Sequence, residues 1–260
     1  MKIGILQFSV SRNISENLNK ICNAIIEASL NGTQLLVTQE CALCGYPPLE
    51  IPSINMIEFE MLEKCVSKIT ELARKNNIHI ALGLIRKVNS KCINSIAFIA
   101  PDGIRGYYDK RALWGWDKEN FTSGTTSGPI FDVNGTKFGV RICFEIRFPE
   151  YFRELYREEI DFILISFCDI SKNKNIERLK IIESHLITRA IENAKTVISV
   201  NSTTFHQTAP TCVIDPDGRK LIEAINDKED LIYYEFEKTE ENFGRKGRCY
   251  YNNILCINSS

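Results

Sequence analysis

Apolar positions along the chain form short unbroken runs, separated by longer stretches in which they recur every third or fourth residue. The first pattern predicts buried strands and the second amphipathic helices. IGILQF (3–8) reads as a strand, and Leu18, Ile21, Cys22 and Ile25 then share one helical face, with Asn13 as N-cap and Gly32 as the stop. LLVT (35–38) is a second strand, and Leu62, Val66, Ile69 and Ala73 mark a helix ahead of the strand IHIALGLI (78–85). The chain therefore opens β-α-β-α-β. From residue 91 the strands follow one another closely. CINSIAFIA, the turn Pro101-Asp102-Gly103 and IRGYYDK predict an antiparallel hairpin, and FDVNGTKFGVRIC carries a hairpin turn at Asn134-Gly135. FILISF (162–167), a helix through Ile182, Leu186 and Ala190, and TVISVN (196–201) follow, and TCVIDPDGRKLIEA turns at Asp217-Gly218. Intermixed strands and helices, with no repeat or linker, predict an α/β or α+β chain with a mixed sheet and one domain over 1–260.

Composition narrows the partners. With 44% apolar residues, 25% charged residues and a formal net charge of −1, the chain has the make-up of a globular protein and no broad basic field for nucleic acid. A small neutral or zwitterionic molecule is the expected partner. The N-terminal MKIGILQFSV is too short an apolar run for a signal peptide, and no stretch reaches the roughly 18 residues of a membrane span, so a cytoplasmic location is expected. Ten cysteines (Cys22, Cys41, Cys44, Cys65, Cys92, Cys143, Cys168, Cys212, Cys249 and Cys256) then read as reduced thiols, most of them small buried hydrophobes.

Three reactive side chains each close an apolar strand: Glu40 after LLVTQ, Lys110 after IRGYYD and Cys143 after FGVRI. Strand ends are where α/β folds place their sites, because rigid strands there meet open loops. Taken singly, Cys143 reads as a core thiol, and Glu40 and Lys110 as solvated strand ends or surface ion pairs. Taken together, an acid to accept a thiol proton, an amine to hold developing negative charge and a thiol to attack carbon make up an acyl-transfer set. A Cys-His hydrolase is the rival scheme, with His79, His185 or His206 as base, although His79 lies in an apolar strand and His185 in a helix. Cys41-x-x-Cys44 invites a zinc or redox reading, but no second pair follows and Gly45-Tyr46-Pro47-Pro48 does not open a helix. No metal or cofactor is expected.

The local wording resembles the nitrilase or carbon-nitrogen hydrolase superfamily along nearly the whole chain. TQECALCGYPP is similar to that family's glutamate block and YYDKRAL to its lysine block. GVRICFEIRFPE is similar to its cysteine block, whose usual wording is G-x-x-I-C, an aromatic residue, an acid, one free position and R-F-P-E. RAIEN (189–193) with SVN (199–201), and IDPDGRKL (214–221), match two further blocks. The resemblance implies an α-β-β-α sandwich of two mixed sheets with helices on the outer faces, paired into a homodimer or larger homo-oligomer. It implies Glu40 as general base, Lys110 as transition-state stabiliser and Cys143 as nucleophile, acting on a small-molecule amide or N-carbamoyl compound. The backbone N–H of Phe144 would join Lys110 at the oxyanion, with Tyr46, Arg147 and Cys168 as further candidates for oxyanion or substrate contacts. A nitrile-hydrolysing enzyme is one alternative. A glutaminase-like or regulatory binding module is the other, because GYPPLE is similar to the glutaminase domain of glutamine-dependent NAD synthetases, though these residues contain no ATP-binding synthetase portion.

Pro149 suits the first turn of a helix running through Tyr151 to Glu159, which would set Cys143 at a strand-to-helix elbow that Glu145 and Arg147 could fix by pairing with neighbours. Many members of the family carry a second acid shortly after the lysine; in WGWDKENFTSG the count falls on Asp117, with Glu119 close by. An aspartate is one methylene shorter, so either Asp117 reaches less closely or Glu119 takes the role. Two segments depart from the family's wording: SFCDISKN (166–173) lacks its tryptophan and proline, and NSTTFHQTAPTC (201–212) carries Cys212 where serine is common.

Overall fold

The computed structural model describes residues 1–238 and 240–257, the side chains of 256 and 257 excepted, so Cys256 lies outside the described side chains. In chain order the elements are β1 (Lys2–Gln7), α1 (Ile14–Leu30), β2 (Leu35–Thr38), α2 (Phe59–Asn76), β3 (His79–Val88), β4 (Lys91–Ala100), β5 (Gly103–Asp109) and α3 (Trp116–Asn120). Then come β6 (Phe131–Val133), β7 (Thr136–Ile142), α4 (Pro149–Arg157), β8 (Phe162–Phe167), β9 (Ile170–Ser171), α5 (Ile176–Asn193) and β10 (Thr196–Asn201). The last are β11 (His206–Gln207), β12 (Cys212–Ile214), β13 (Lys220–Glu223), β14 (Asp230–Glu235) and α6 (Phe243–Ile257).

Two six-stranded mixed sheets result, in the orders β14-β1-β2-β3-β4-β5 and β13-β12-β10-β8-β7-β6, with a β11-β9 ribbon beside them. In each sheet the central strands are parallel: β1, β2 and β3 in one, β7, β8 and β10 in the other. The side-chain period of two then sorts residues between layers. Ile3, Ile5, Leu35 and Val37 meet Phe138, Val140, Phe162 and Leu164 between the sheets. Leu6 and Leu36 face the other way, onto Leu18, Ile21 and Ile25 of α1 and Leu62, Val66 and Ile69 of α2. On the far side Ile163, Ile165 and Val197 pack under Phe152 and Leu155 of α4 and Ile182, Leu186 and Ala190 of α5. Burial on both faces explains why FILISF and TVISVN show no alternation of exposed and buried positions.

The helix starts follow local chemistry. Asn13 caps α1 by accepting the Ser15 N–H at 3.0 Å, and Gly32, at φ +74°, follows the helix end at Leu30. The helix expected to hold Pro149 in its first turn and to run through Tyr151 to Glu159 does begin at Pro149, and it ends at Arg157. Proline at its first position needs no donor there. A 3-10 turn over Cys143–Arg147 separates it from β7. Pattern reading missed β14 and α6. The residues of β14 from Asp230 to Tyr234 are half-buried and show no clean alternation. α6 makes polar contacts to the body of the fold, Arg245 and Arg248 to Asp217 and Asn252 to the Glu192 carbonyl.

One glycine governs how the two sheets present their ends. At Gly83 in β3 a Cβ would lie 1.9 Å from the Gln39 carbonyl oxygen and 2.9 Å from Cys41 N, so only glycine lets the chain that leaves β2 cross this closely. Its N–H donates to Thr38 Oγ1 at 3.0 Å and its carbonyl accepts from Leu43 N at 3.1 Å. Gly83→Ala must push the Gln39–Cys41 turn away, an overpacking cost of about 2 kcal/mol. The expected outcome in a thermal melt is a Tm about 5 °C below wild type.

Candidate active site

Glu40, Lys110 and Cys143 come together because both sheets direct the C-terminal ends of their central strands to one side. The seam begins in the backbone: Glu40 N donates to the Phe167 carbonyl at 3.2 Å, and Ser166 Oγ to the Thr38 carbonyl at 3.0 Å. Glu40 is fully buried. Its Oε1 accepts from Lys110 Nζ at 2.8 Å and from Asn94 Nδ2 at 2.6 Å, and its Oε2 from the Cys168 N–H at 2.8 Å. Lys110, buried as well, places its ammonium between two carboxylates, the second being Asp117 Oδ2 at 2.7 Å. Asp117 Oδ1 accepts from the Tyr46 hydroxyl at 2.5 Å. Short α3 brings Asp117 to the ammonium despite the missing methylene and leaves Glu119 exposed.

Cys143 opens the 3-10 turn after β7 with φ +45°, a left-handed conformation that is strained for a side-chain-bearing residue and turns the chain sharply at the thiol. Buried Glu145 holds this elbow with no ion-pair partner among the described residues. Its Oε2 accepts the Ile142 N–H at 2.7 Å and its Oε1 the Arg111 N–H at 2.8 Å, while the Tyr108 hydroxyl lies 2.8 Å from both oxygens. One carboxylate thus ties the segment that carries Cys143 to the segment that carries Lys110. Arg147 lies with its guanidinium 5.4 Å from the centroid of the Phe144 ring. Cys143 and Phe144 retain partial exposure as residues.

Burial pushes the Cys143 thiol well above its ordinary range; the Glu40 carboxylate adds to this and the Lys110 ammonium opposes it. The resting thiol is therefore protonated and needs a base. Burial also raises the proton affinity of Glu40, against the pull of Lys110, which makes it a stronger base than an exposed carboxylate. Lys110 loses charge stability to burial, but Glu40, Cys143, Asp117 and Tyr46 together carry it well above its usual value, so the ammonium stays charged. A thiol, a basic carboxylate and a fixed ammonium in a desolvated site can carry out nucleophilic attack on a carbonyl and hold the resulting oxyanion.

The other candidates separate by geometry. Tyr46 directs its hydroxyl to Asp117, and Cys168 gives its N–H to Glu40, so both brace the carboxylates. His79 stacks on Phe98 and contacts the Gln34 carbonyl, His185 lies on α5, and His206 pairs with Asp227 at 2.8 Å; none of them bonds to Cys143. Cys41 and Cys44 are buried free thiols in the turn after Glu40, and no cluster of metal-ligating side chains occurs among the described residues. The two segments of unusual wording pair with each other: β9 and β11 form a ladder, and Asn201 clamps Asp169 through the Asp169 N–H at 3.0 Å and its carbonyl at 2.8 Å. Glu145, expected to fix the elbow by pairing with neighbours, does so through neutral donors. Asn94 escaped the sequence reading; its one local signal is a polar residue inside an apolar run.

A family model described as carbon-nitrogen hydrolase matches residues 2–242. A citrullinase from Francisella tularensis is 25% identical over 92% of this chain and 90% of its own length, and a 2-oxoglutaramate amidase from Bacillus subtilis is 28% identical over 85% of each. The crystal structure of an amidase from Nesterenkonia superposes with a TM-score of 0.82 at 21% identity, covering 98% of this chain and 96% of its own. At that identity the likeness shows the shared fold. It matches the two-sheet sandwich that the sequence led us to expect.

The Glu145 brace can be tested without reference to activity. Glu145→Ala leaves the Ile142 and Arg111 N–H groups and the Tyr108 hydroxyl without their acceptor. Urea unfolding is expected to show a loss of about 3 kcal/mol, in line with the cost of stranded buried donors.

Proposed function

The chain belongs to the carbon-nitrogen hydrolase family, and on that premise we propose that it cleaves the C–N bond of a small amide or N-carbamoyl compound through a thioester on Cys143. The observation that carries this reading is the Lys110 ammonium, clamped between Glu40 and Asp117 beside the elbow that bears the thiol.

In this scheme Glu40 takes the Cys143 proton as Sγ attacks the carbonyl carbon. The oxygen becomes an oxyanion against Lys110 Nζ and the backbone N–H of Phe144. Collapse breaks the C–N bond, and the proton held by Glu40 passes to the departing ammonia or amine. Water then gives a proton to Glu40 and attacks the thioester; the carboxylic or carbamic acid leaves, and the proton returns to the thiolate. Asp117 holds Lys110 in place, so that the ammonium does not collapse wholly onto Glu40. The names of the similar proteins support the substrate class, since a citrullinase acts on a ureido group and an oxoglutaramate amidase on a terminal carboxamide. The same reading takes residues 1–260 as one catalytic domain that works in the cytoplasm as a homodimer or larger homo-oligomer. No helix among the described residues is long and apolar enough to cross a membrane.

An ammonia-release screen over small primary amides, ω-amido acids and ureido compounds tests the proposal. Wild type should turn over at least one class, and Cys143→Ala should lose about a thousandfold or more in kcat. Lys110→Met should lose about a hundredfold or more; full activity in that variant would remove the amine from the scheme. Turnover of nitriles alone would replace the amidase reading.

A pH profile supplies a separate check. Because the proton affinity of Glu40 is raised, it is protonated and useless as a base up to a higher pH than a free carboxylate. The acid limb of kcat/KM is expected to fall off clearly above the ordinary glutamate value of about 4.3. A limb at or below that value would contradict Glu40 as the base.

A further inference from the structure

The scheme above leaves one buried carboxylate unused. Glu50, only 4% exposed, lies at the end of the loop that follows Glu40. It has no lysine, arginine or histidine partner among the described residues; three neutral donors converge on it instead. The Tyr46 N–H reaches Oε2 at 2.8 Å, Thr204 Oγ1 reaches Oε1 at 2.8 Å, and the Ser202 hydroxyl also donates to Oε1. Burial raises its proton affinity, and the three donors hold it back. A carboxylate taken out of water without a counter-charge is costly, so a position that served packing alone would be better filled by a neutral side chain.

What Glu50 joins gives it a use. Ser202 and Thr204 belong to the loop after β10 in one sheet, and Tyr46 to the loop after β2 in the other. Thr204 Oγ1 also accepts the Val10 N–H at 2.9 Å, and the Thr203 N–H donates to the Phe8 carbonyl at 3.2 Å, so the far side of the clamp is itself anchored across the sheets. Tyr46 is therefore held at both ends: its backbone by Glu50 and its hydroxyl by Asp117 Oδ1 at 2.5 Å. The other oxygen of Asp117 holds Lys110. Hydrogen bonds lead from the β10 loop to Glu50 and the Tyr46 backbone, and, through the Tyr46 side chain itself, from its hydroxyl to Asp117 and the ammonium.

We propose that Glu50 is a positioning residue for the Lys110 centre, setting the place of Tyr46 so that its hydroxyl holds Asp117 against the ammonium. The inference rests on the amide-hydrolase reading for its role in turnover. Its mechanical part does not, because Lys110 also lowers the proton affinity of Cys143 and so controls how fast the thiol reacts with any electrophile.

A double-mutant cycle of Glu50→Ala and Tyr46→Phe tests it, read by kcat on an amide that wild type hydrolyses and by the rate of Cys143 alkylation with iodoacetamide, followed by intact mass. Tyr46→Phe keeps the N–H on Glu50 and loses the bond to Asp117. Each single variant should lower both rates about tenfold with KM within about threefold of wild type, and the double variant should be no more than about twofold slower than the worse single. Losses that multiply to about a hundredfold, or Glu50→Ala within twofold of wild type, overturn the inference. Should Glu50→Ala fail to fold, Glu50→Gln takes its place, since it keeps an oxygen for the Tyr46 N–H. Rates within about threefold of wild type are then expected, and a tenfold loss that multiplies with Tyr46→Phe overturns the inference. If wild type releases ammonia from no amide while the alkylation rates still couple, the amide-hydrolase reading falls and the role of Glu50 stands.

Discussion

A lysine ammonium withdrawn from water between two carboxylates is the constraint on which the site depends. Lys110 is 2% exposed, and each partner oxygen lies within 2.8 Å of Nζ. Burying such a charge is tolerable only when good geometry and additional hydrogen bonds satisfy every charged atom. Both carboxylates have those bonds: Asn94 and the Cys168 N–H on Glu40, and the Tyr46 hydroxyl on Asp117. Two acids against one base leave an excess of negative charge at the centre. That excess keeps Lys110 charged, and it adds to the burial that pushes the Cys143 thiol up and makes Glu40 basic.

The sandwich supplies the rigidity this arrangement needs. The groups around Lys110 come from the ends of β2, β5, β7 and β8 and from short α3, so the centre straddles both sheets. Two carboxylates that take no part in the chemistry hold it together from opposite sides. Glu145 ties the cysteine elbow to the lysine segment, and Glu50 ties the loop after β2 to the loop after β10. Gly83 permits the close crossing that lets Glu40 arrive between the sheets. Packing and polar satisfaction at this seam are one problem, because moving any strand end by an ångström strands a buried charge.

Much of this was legible from the residues in order. The period-two and period-3.6 patterns mark most of the sandwich, and Asn13 and Pro149 mark helix starts by their own chemistry. Glu40, Lys110 and Cys143 are conspicuous because each closes an apolar run. Their bracing partners are not, because periodicity reports which face a residue lies on and not what it touches across the fold. Asn94 is 54 positions from Glu40, Tyr46 is 71 from Asp117, and Ser202 is 152 from Glu50. Counting along the chain left Asp117 and Glu119 as rivals, and only the path of α3 separates the buried one from the exposed one. β14 was missed for a related reason: it adds to a sheet edge, half-buried and without clean alternation.

The central claim is that the Lys110 centre serves acyl transfer to Cys143. Rapid-quench intact-mass spectrometry under single-turnover conditions, with the amide that gives the fastest ammonia release, tests it most directly. The account predicts a transient mass gain equal to the substrate's acyl group, mapped to the peptide that contains Cys143 and absent in Cys143→Ala. Ammonia release with no such gain, or with the gain on another residue, would contradict it.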